Sequence, residues 1–485
     1  MRHLLWGRRV GPLLMLLTMA ALLSGALGGL ACDGADPLAG PVGAGDPYLP
    51  RAGNGGYQVL HYDIALDVDP ASGSVEGRTK ILAVTESRLS SLNLDFSGLR
   101  VGDVSVDGEG ADYRLEGQEL TVYCPEVFDA HEEVSVEVTY SGRPKAFADA
   151  ESFMVGWRQD GDYIYTLDEP LGASTWFPAN DHPSDKATYT FRLTVPESHV
   201  AVANGVLVET VPSAAGRTFV WEMRRPMASY LAAVSVGDYV LRESESPNGV
   251  PIRDYYAPRL VDEAVPLFAG TGDMIAFFAD RFGPYPFDVY GVVVPAVPTG
   301  AAMENQTLSL FGEDVLDRLS SDDVVRDTYI SHELAHQWFG NSVTITQWKD
   351  IWLNEGFATY ASWLWLEHDR GPETLDAMVN ESQRMLQSRR HPLLTDPGED
   401  GLFSVNVYRR GALTLHALRL LVGGDVFTGI LREWATRHQH GSATTEDFVA
   451  LVEEMAADVP AGAVGELFEA WLYREDLPSL PEAAS

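Results

Sequence analysis

The apolar pattern changes period once, near Pro247, and this limits the chain to two kinds of architecture laid end to end. Between Tyr57 and about Ser246 apolar residues alternate: Ile64, Leu66, Val68; Leu92, Leu94, Phe96; Val134, Val136, Val138, Tyr140; Tyr189, Phe191, Leu193, Val195. Successive side chains of a strand point to opposite faces, so period two, bounded by Gly, Pro, Asp and Ser clusters, predicts half-buried strands joined by turns. Beyond Pro247 the spacing becomes three and four over Asp322 to Phe339, Asn354 to Asp369, Val405 to Val422, Asp425 to Arg437, Thr445 to Val459 and Gly462 to Arg474, which predicts helices. Ser320 with Asp323 and Thr444 with Asp447 read as capping-box pairs, and Gly340 as a stop just past a helix. Strand-like runs at Tyr290 to Val297 and Gln306 to Leu310 interrupt the helices. The expected fold class is α+β and multidomain: an all-β sandwich or saddle over residues 57–246, then a mostly helical domain with a small sheet over residues 247–485.

The N-terminal residues 1–31 stand apart. Arg2, Arg8 and Arg9 precede an uncharged run from Val10 to Ala31 that ends in small residues, the pattern of an export signal. Cys32, preceded by Gly29, Leu30 and Ala31, resembles the lipid-modified cysteine of bacterial lipoproteins, although that pattern has its Leu three places before the Cys and here it is two. Residues 32–56 are rich in Gly, Pro and Ala without apolar period and read as a flexible tether. The expectation is therefore an exported protein, secreted or held at the outer face of the cell membrane. Cys124 is the only other cysteine, so no disulfide framework is expected. A net charge of −36 would repel nucleic acid and anionic lipid, and the plain reading of it is a solvated acidic surface.

The helical half carries the chemistry. His332, Glu333 and His336 form an H-E-x-x-H pattern inside a predicted helix, where residues four apart share a face and both imidazoles can reach one ion. Eighteen residues separate His336 from Glu355, which lies on the next predicted helix, able to fold back antiparallel. Two imidazoles and one carboxylate are the ligand set of a catalytic zinc, with the fourth position left to water. Cobalt or manganese would suit the same atoms. A structural zinc would use four ligands, usually thiolates, and neither cysteine is near.

With these residues the chain resembles the zinc aminopeptidases of the aminopeptidase N and leukotriene hydrolase type. The resemblance rests on HELAHQWFGN, on WKDIWLNEGFATY after the eighteen-residue gap, on AAMEN at Ala301 to Asn305, on LDEP at Leu167 to Pro170 and on YRRG at Tyr408 to Gly411. It implies a thermolysin-like catalytic domain, one zinc per chain on His332, His336 and Glu355, and peptides with a free amino terminus as substrates. It further implies Glu333 as general base and acid and Tyr408 as a hydrogen-bond donor to the oxyanion. Glu169 and Glu304 would clamp the substrate's ammonium, with Ala301, Ala302, Met303 and Asn305 beside the substrate backbone. Two positions depart from the family: Ala301 replaces its usual glycine and Leu167 its usual glutamine, changes expected to tune specificity. Only 77 residues follow Tyr408, so no long C-terminal helical-repeat domain is expected, the site should be more open, and leukotriene epoxide hydrolysis is disfavoured. A thermolysin-like endopeptidase, and a binding protein that has lost the chemistry, remain as alternatives.

Overall fold

The computed structural model describes residues 38–482 except 151, 388–390 and 458. The segment read as an export signal, and Cys32, lie outside the described residues. Of those described, no helix is long and apolar enough to cross a membrane.

The alternating half forms the strands its pattern predicts. An eight-stranded sheet runs in the order Val206–Ser213, Gly216–Ala228, Lys186–Val195, Tyr57–Asp69, Ser74–Thr85, Glu133–Gly142, Arg100–Val106, Glu109–Gly110. Tyr57–Asp69 and Lys186–Val195 pair in parallel, which sets Ile64 beside Phe191 and Leu66 beside Leu193 on the buried face. A three-stranded sheet (Leu89–Asp95, Glu119–Phe128, Tyr113–Glu116) and a five-stranded one complete the layers. The five-stranded sheet matters most for the site, because its strand Tyr163–Leu167 ends two residues before Glu169 and so delivers that carboxylate.

The expected boundary at residues 246 and 247 falls inside a hairpin. Val240–Glu245 pairs antiparallel with Pro251–Tyr256, and both belong to a four-stranded sheet with Val292–Val294 and Ser309–Leu310. The small sheet of the helical half thus begins at Val240. A change of period could not reveal this, since a hairpin keeps period two on both sides of its turn.

The helices are α1 (Val261–Leu267), α2 (Thr271–Phe282), α3 (Glu313–Leu319), α4 (Asp323–Ala335), α5 (Trp352–Arg370), α6 (Pro372–Gln387), α7 (Gly411–Val422), α8 (Gly424–Arg437), α9 (Thr445–Met455) and α10 (Ala463–Leu472). Thr444 and Asp447 form the expected capping box of α9. At α4 the cap is Asp322 and not Ser320: its carboxylate accepts from the amides of Val324 at 2.7 Å and Val325 at 3.2 Å. A carboxylate also suits the positive end of the helix dipole. Trp352, Phe357, Trp434 and Phe448 meet where α5, α8 and α9 pack.

The stretch read as a flexible tether is packed from Leu38 onward. Ala39 bridges to Ser91, and the Asn93 side chain donates to the Gly40 carbonyl at 2.7 Å. Asp46 is 2% exposed; its carboxylate accepts from the amides of Tyr48, Leu49 and, across 302 residues, Trp348 at 2.8 Å. Tyr48 bonds Asp396. Order here comes from side chain to main chain bonds, which leave no periodic trace in sequence. Gly43, Gly45, Gly53 and Gly56 at positive φ let the irregular path form.

Candidate active site

The site is assembled by two helix crossings. α4 lies against α5, which brings the His332 and His336 imidazoles to the Glu355 carboxylate. Gly356 of α5 faces Gly411 of α7 so closely that a Cβ on either would stand under 3 Å from the other's Cα. Only a glycine pair permits that approach, and it carries Tyr408, in the wide helical turn Asn406–Arg410, toward Glu355. Arg410 anchors the same turn: buried, it donates to the carbonyls of Trp471 at 2.8 Å and Glu475 at 3.2 Å, capping the end of α10.

Three ligand atoms form a near-regular triangle. His332 Nε2 and His336 Nε2 are 3.1 Å apart, and Glu355 Oε2 lies 3.2 Å from the first and 3.5 Å from the second. Donors bound tetrahedrally at about 2.0–2.1 Å sit about 3.3 Å from one another, so the triangle fits a zinc ion without rearrangement. His336 is turned by its other ring nitrogen, Nδ1, 3.1 Å from the Phe339 carbonyl. The helix stops at Ala335 rather than at the predicted Phe339, so His336 stands at its C-cap.

Glu333 lines the same cleft, and its carboxylate makes no hydrogen bond to the described residues. Tyr408 stacks over His332 with ring centroids 5.9 Å apart. Glu169, Glu304 and Glu355 bring carboxylate oxygens within 4.8 Å of one another. Oε1 of both Glu169 and Glu304 is buried without a partner. The Glu304 main chain is fixed by the side chains of Gln337, at 3.1 Å, and Asn341, at 2.7 Å, both donating to its carbonyl.

The electrostatics follow from crowding acids in a buried cleft. Burial, and then the Glu304 and Glu355 charges, push Glu169 well above the usual carboxylate range. Burial and Glu304 do the same to Glu333. Burial opposes charge on Glu355 too, but His336 and the bond from His332 outweigh it and hold Glu355 at about 2. Burial works against a charged His336, yet Glu304 and Glu355 lift it to about 10, whereas burial lowers His332. The carboxylates of Glu304 and Glu355 thus favour positive charge between them and the histidines.

The cleft, about 610 Å³, is lined by Ala301, Ala302, Met303 and Leu167 together with Glu169, Glu304, His332, Glu333, His336, Glu355 and Tyr408. Met303 exchanges main-chain hydrogen bonds with Leu310, and the Ala301 carbonyl is taken by the Thr299 hydroxyl at 2.6 Å. Asn305 is 1% exposed and is not among the residues lining the cleft; the chain turns there, with the Leu308 amide donating to its carbonyl. Sequence reasoning passed over other lining residues, among them Asp149, Phe153, Thr328, Tyr329, Trp363 and Phe403. Only the residues three and four before His332 carried a signal, as their face of α4 is that of the histidines.

Family models and solved structures match this chain. Residues 58–231 match the Peptidase M1 N-terminal domain and residues 268–471 the Peptidase family M1 domain. The crystal structure of an M1 zinc metallopeptidase from Deinococcus radiodurans superposes with TM-score 0.83 at 32% identity over 91% of this chain and 99% of that one.

This chain belongs to peptidase family M1.

A mutant of the same Deinococcus protein bound to a Tyr-Ser-Ala substrate matches at TM-score 0.81 and 31% identity, over 91% of this chain and 99% of that one. Aminopeptidase M1 of Arabidopsis thaliana is 30% identical over 329 residues, 64% of this chain and 36% of that protein. This M1 chain thus spans little more than a third of the curated relatives it matches, but nearly all of the solved bacterial structure. The family's metal is one catalytic zinc, and the N and O donors here fit it.

Proposed function

We propose that this M1 member is a zinc-dependent aminopeptidase, hydrolysing the amino-terminal residue from peptides. The observation that carries the reading is the pair Glu169, half-buried, and Glu304, buried, each with a buried Oε1 that has no hydrogen-bond partner, beside the ligand triangle. An α-ammonium is the group that would satisfy both, and held beside the triangle it would present the first peptide bond to it. The tripeptide-bound Deinococcus relative supports a peptide in this cleft.

Zinc held by His332, His336 and Glu355 would polarise the scissile carbonyl and lower the pKa of a bound water from 15.7 toward about 7. Glu333, beside the ligand triangle in the cleft, takes the proton of the attacking water and returns it to the leaving amine. Tyr408, whose hydroxyl makes no hydrogen bond to the described residues, donates to the oxyanion. Such a donor is worth about 10² to 10³ in rate. Burial, then the surrounding carboxylates, raise its pKa, so it keeps its proton. Leu167, 3% exposed, makes one wall apolar, and Ala301 adds a methyl near the substrate main chain.

The test compares a peptide with a free amino terminus against its acetylated form, on zinc-loaded and chelator-treated protein. Cleavage of the free peptide alone, lost with chelator and restored by zinc, is expected; equal cleavage of the acetylated peptide would establish an endopeptidase instead. The uncharged run before Ala31 and the position of Cys32 support a working place outside the cytoplasm, secreted or lipid-anchored.

A further inference from the structure

Lys186 opens the strand Lys186–Val195 of the eight-stranded sheet, yet its side chain ends in the helical half of the chain. It is buried, and its ammonium donates to the carbonyls of Asn341 and Ser342, both at 2.9 Å, and of Gly441 at 3.2 Å. Three hydrogens meet three acceptors, which saturates the group. No acidic side chain among the described residues offsets its burial. A cation buried without an anion is costly, and a plain tie between two parts of a fold could be made by a neutral amide. An amide, however, has only two hydrogens to donate.

The carbonyls that Lys186 holds follow the end of α4. Beyond Ala335 the chain keeps turning, with the Asn341 amide donating to the His336 carbonyl at 3.0 Å and the Ser342 amide to the Gln337 carbonyl at 3.2 Å. This is the negative end of the helix dipole, where a cation is favoured. The turn serves two residues of the site. Its Phe339 carbonyl lies 3.1 Å from His336 Nδ1, and Asn341 Nδ2 donates to the Glu304 carbonyl at 2.7 Å. Asn341 is buried and its Oδ1 has no partner, so the aim of its amide depends on where its main chain is held. The Thr344 hydroxyl, 3.2 Å from the Asn341 carbonyl, belongs to the same segment and moves with it. Lys186 reaches that carbonyl from 155 residues away and fixes the turn to an outside frame. Two bonds in series thus join Lys186 to Glu304, whose Oε1 lies 4.0 Å from His336 Nδ1.

We propose that Lys186 is a positioning residue for the ammonium clamp: through Asn341 it sets where Glu304 stands against the ligand triangle. This rests on the aminopeptidase reading and names what holds one arm of its clamp. Gln337 also donates to the Glu304 carbonyl, at 3.1 Å, so removing Lys186 loosens Glu304 without freeing it.

The test is calorimetric, on the zinc-loaded full chain, with leucine hydroxamate and with isocaprohydroxamate, the same molecule without its α-amine. Both offer the hydroxamate to the metal, so the ratio of their Kd values reads the clamp alone. In the unaltered protein the amine should tighten binding by about a hundredfold. In Lys186→Met that ratio should fall by about tenfold, with zinc content and the affinity for isocaprohydroxamate unchanged. Asn341→Ala should lower the ratio equally, and the two changes together should cost no more than either, because they cut one path. Lys186→Gln, with two donors left, should keep part of the ratio. An unaltered ratio in Lys186→Met overturns the inference, as does an equal loss of both affinities, which would mark a lysine that only supports the fold. If Lys186→Met does not fold, Lys186→Gln and Asn341→Ala decide, and an undiminished ratio in either is equally fatal. A ratio near one in the unaltered protein removes the clamp itself, and this inference with it.

Discussion

Gly411→Ala probes how the site is held together. The new Cβ would stand 2.7 Å from the Gly356 Cα. Carbon atoms in contact prefer about 3.5–4.0 Å, so α5 and α7 must part by about 1 Å. Overpacking of this kind costs about 1–3 kcal/mol, and alanine's better helix propensity returns about 1. A net loss of about 0–2 kcal/mol remains, so the protein should fold and melt at most a few degrees lower. Activity should suffer far more. Tyr408 lies three residues before Gly411 and Glu355 immediately before Gly356, so parting the helices separates the hydroxyl from the ligand triangle. A displacement of about 1 Å at a reacting centre costs on the order of 10²-fold in rate. Peptide hydrolysis, zinc content and thermal unfolding measured on the same preparation separate the two effects. The expected result is a hundredfold lower kcat with zinc retained and a nearly unchanged melting temperature. A variant with wild-type kcat would refute the argument that the glycine contact positions Tyr408.

Two other outcomes follow from separate parts of the molecule. Burial raises the Asp185 carboxyl to about 7, although the Val59 amide and Asn180 donate to it. The folded protein therefore holds a proton that the unfolded chain gives up near pH 3.8, and the stability from this group is full below that pH and lost as pH rises toward 7. Asp185→Asn should flatten urea midpoints between about pH 4 and 7; an unaltered slope would place the dependence elsewhere. In cells, fatty-acid labelling of the protein should disappear in Cys32→Ser, and an unlabelled wild-type chain would favour free secretion.

What the sequence made legible was whatever repeats or clusters. The strands from Tyr57 to Val195 and the helix with His332 carry a period, and the metal-site residues carry spacing. Four members of AAMEN line the cleft, and the chain turns at the fifth, Asn305, whose carbonyl accepts from the Leu308 amide; such a turn leaves no mark in the motif itself. Phe153, Trp363 and Phe403 reach the cleft from three separate segments, and only tertiary packing brings such residues together. The packed course of residues 38–56 was hidden for a related reason, since Asp46 finds Trp348 by hydrogen bonding, not by apolar pattern.

That segment also changes where the folding unit begins. The family match starts at residue 58, downstream of Asp46, Tyr48 and Asn54. Asp46 satisfies the Trp348 amide ahead of the helix that bears Glu355, and Tyr48 braces the loop at Asp396 that leads to Phe403 on the cleft wall. A chain trimmed to the recognisable homology would keep every residue of the chemistry and lose the clasp that seats two of its walls. Recombinant work on this protein, and transplants of its catalytic half, have reason to start at Leu38 or earlier.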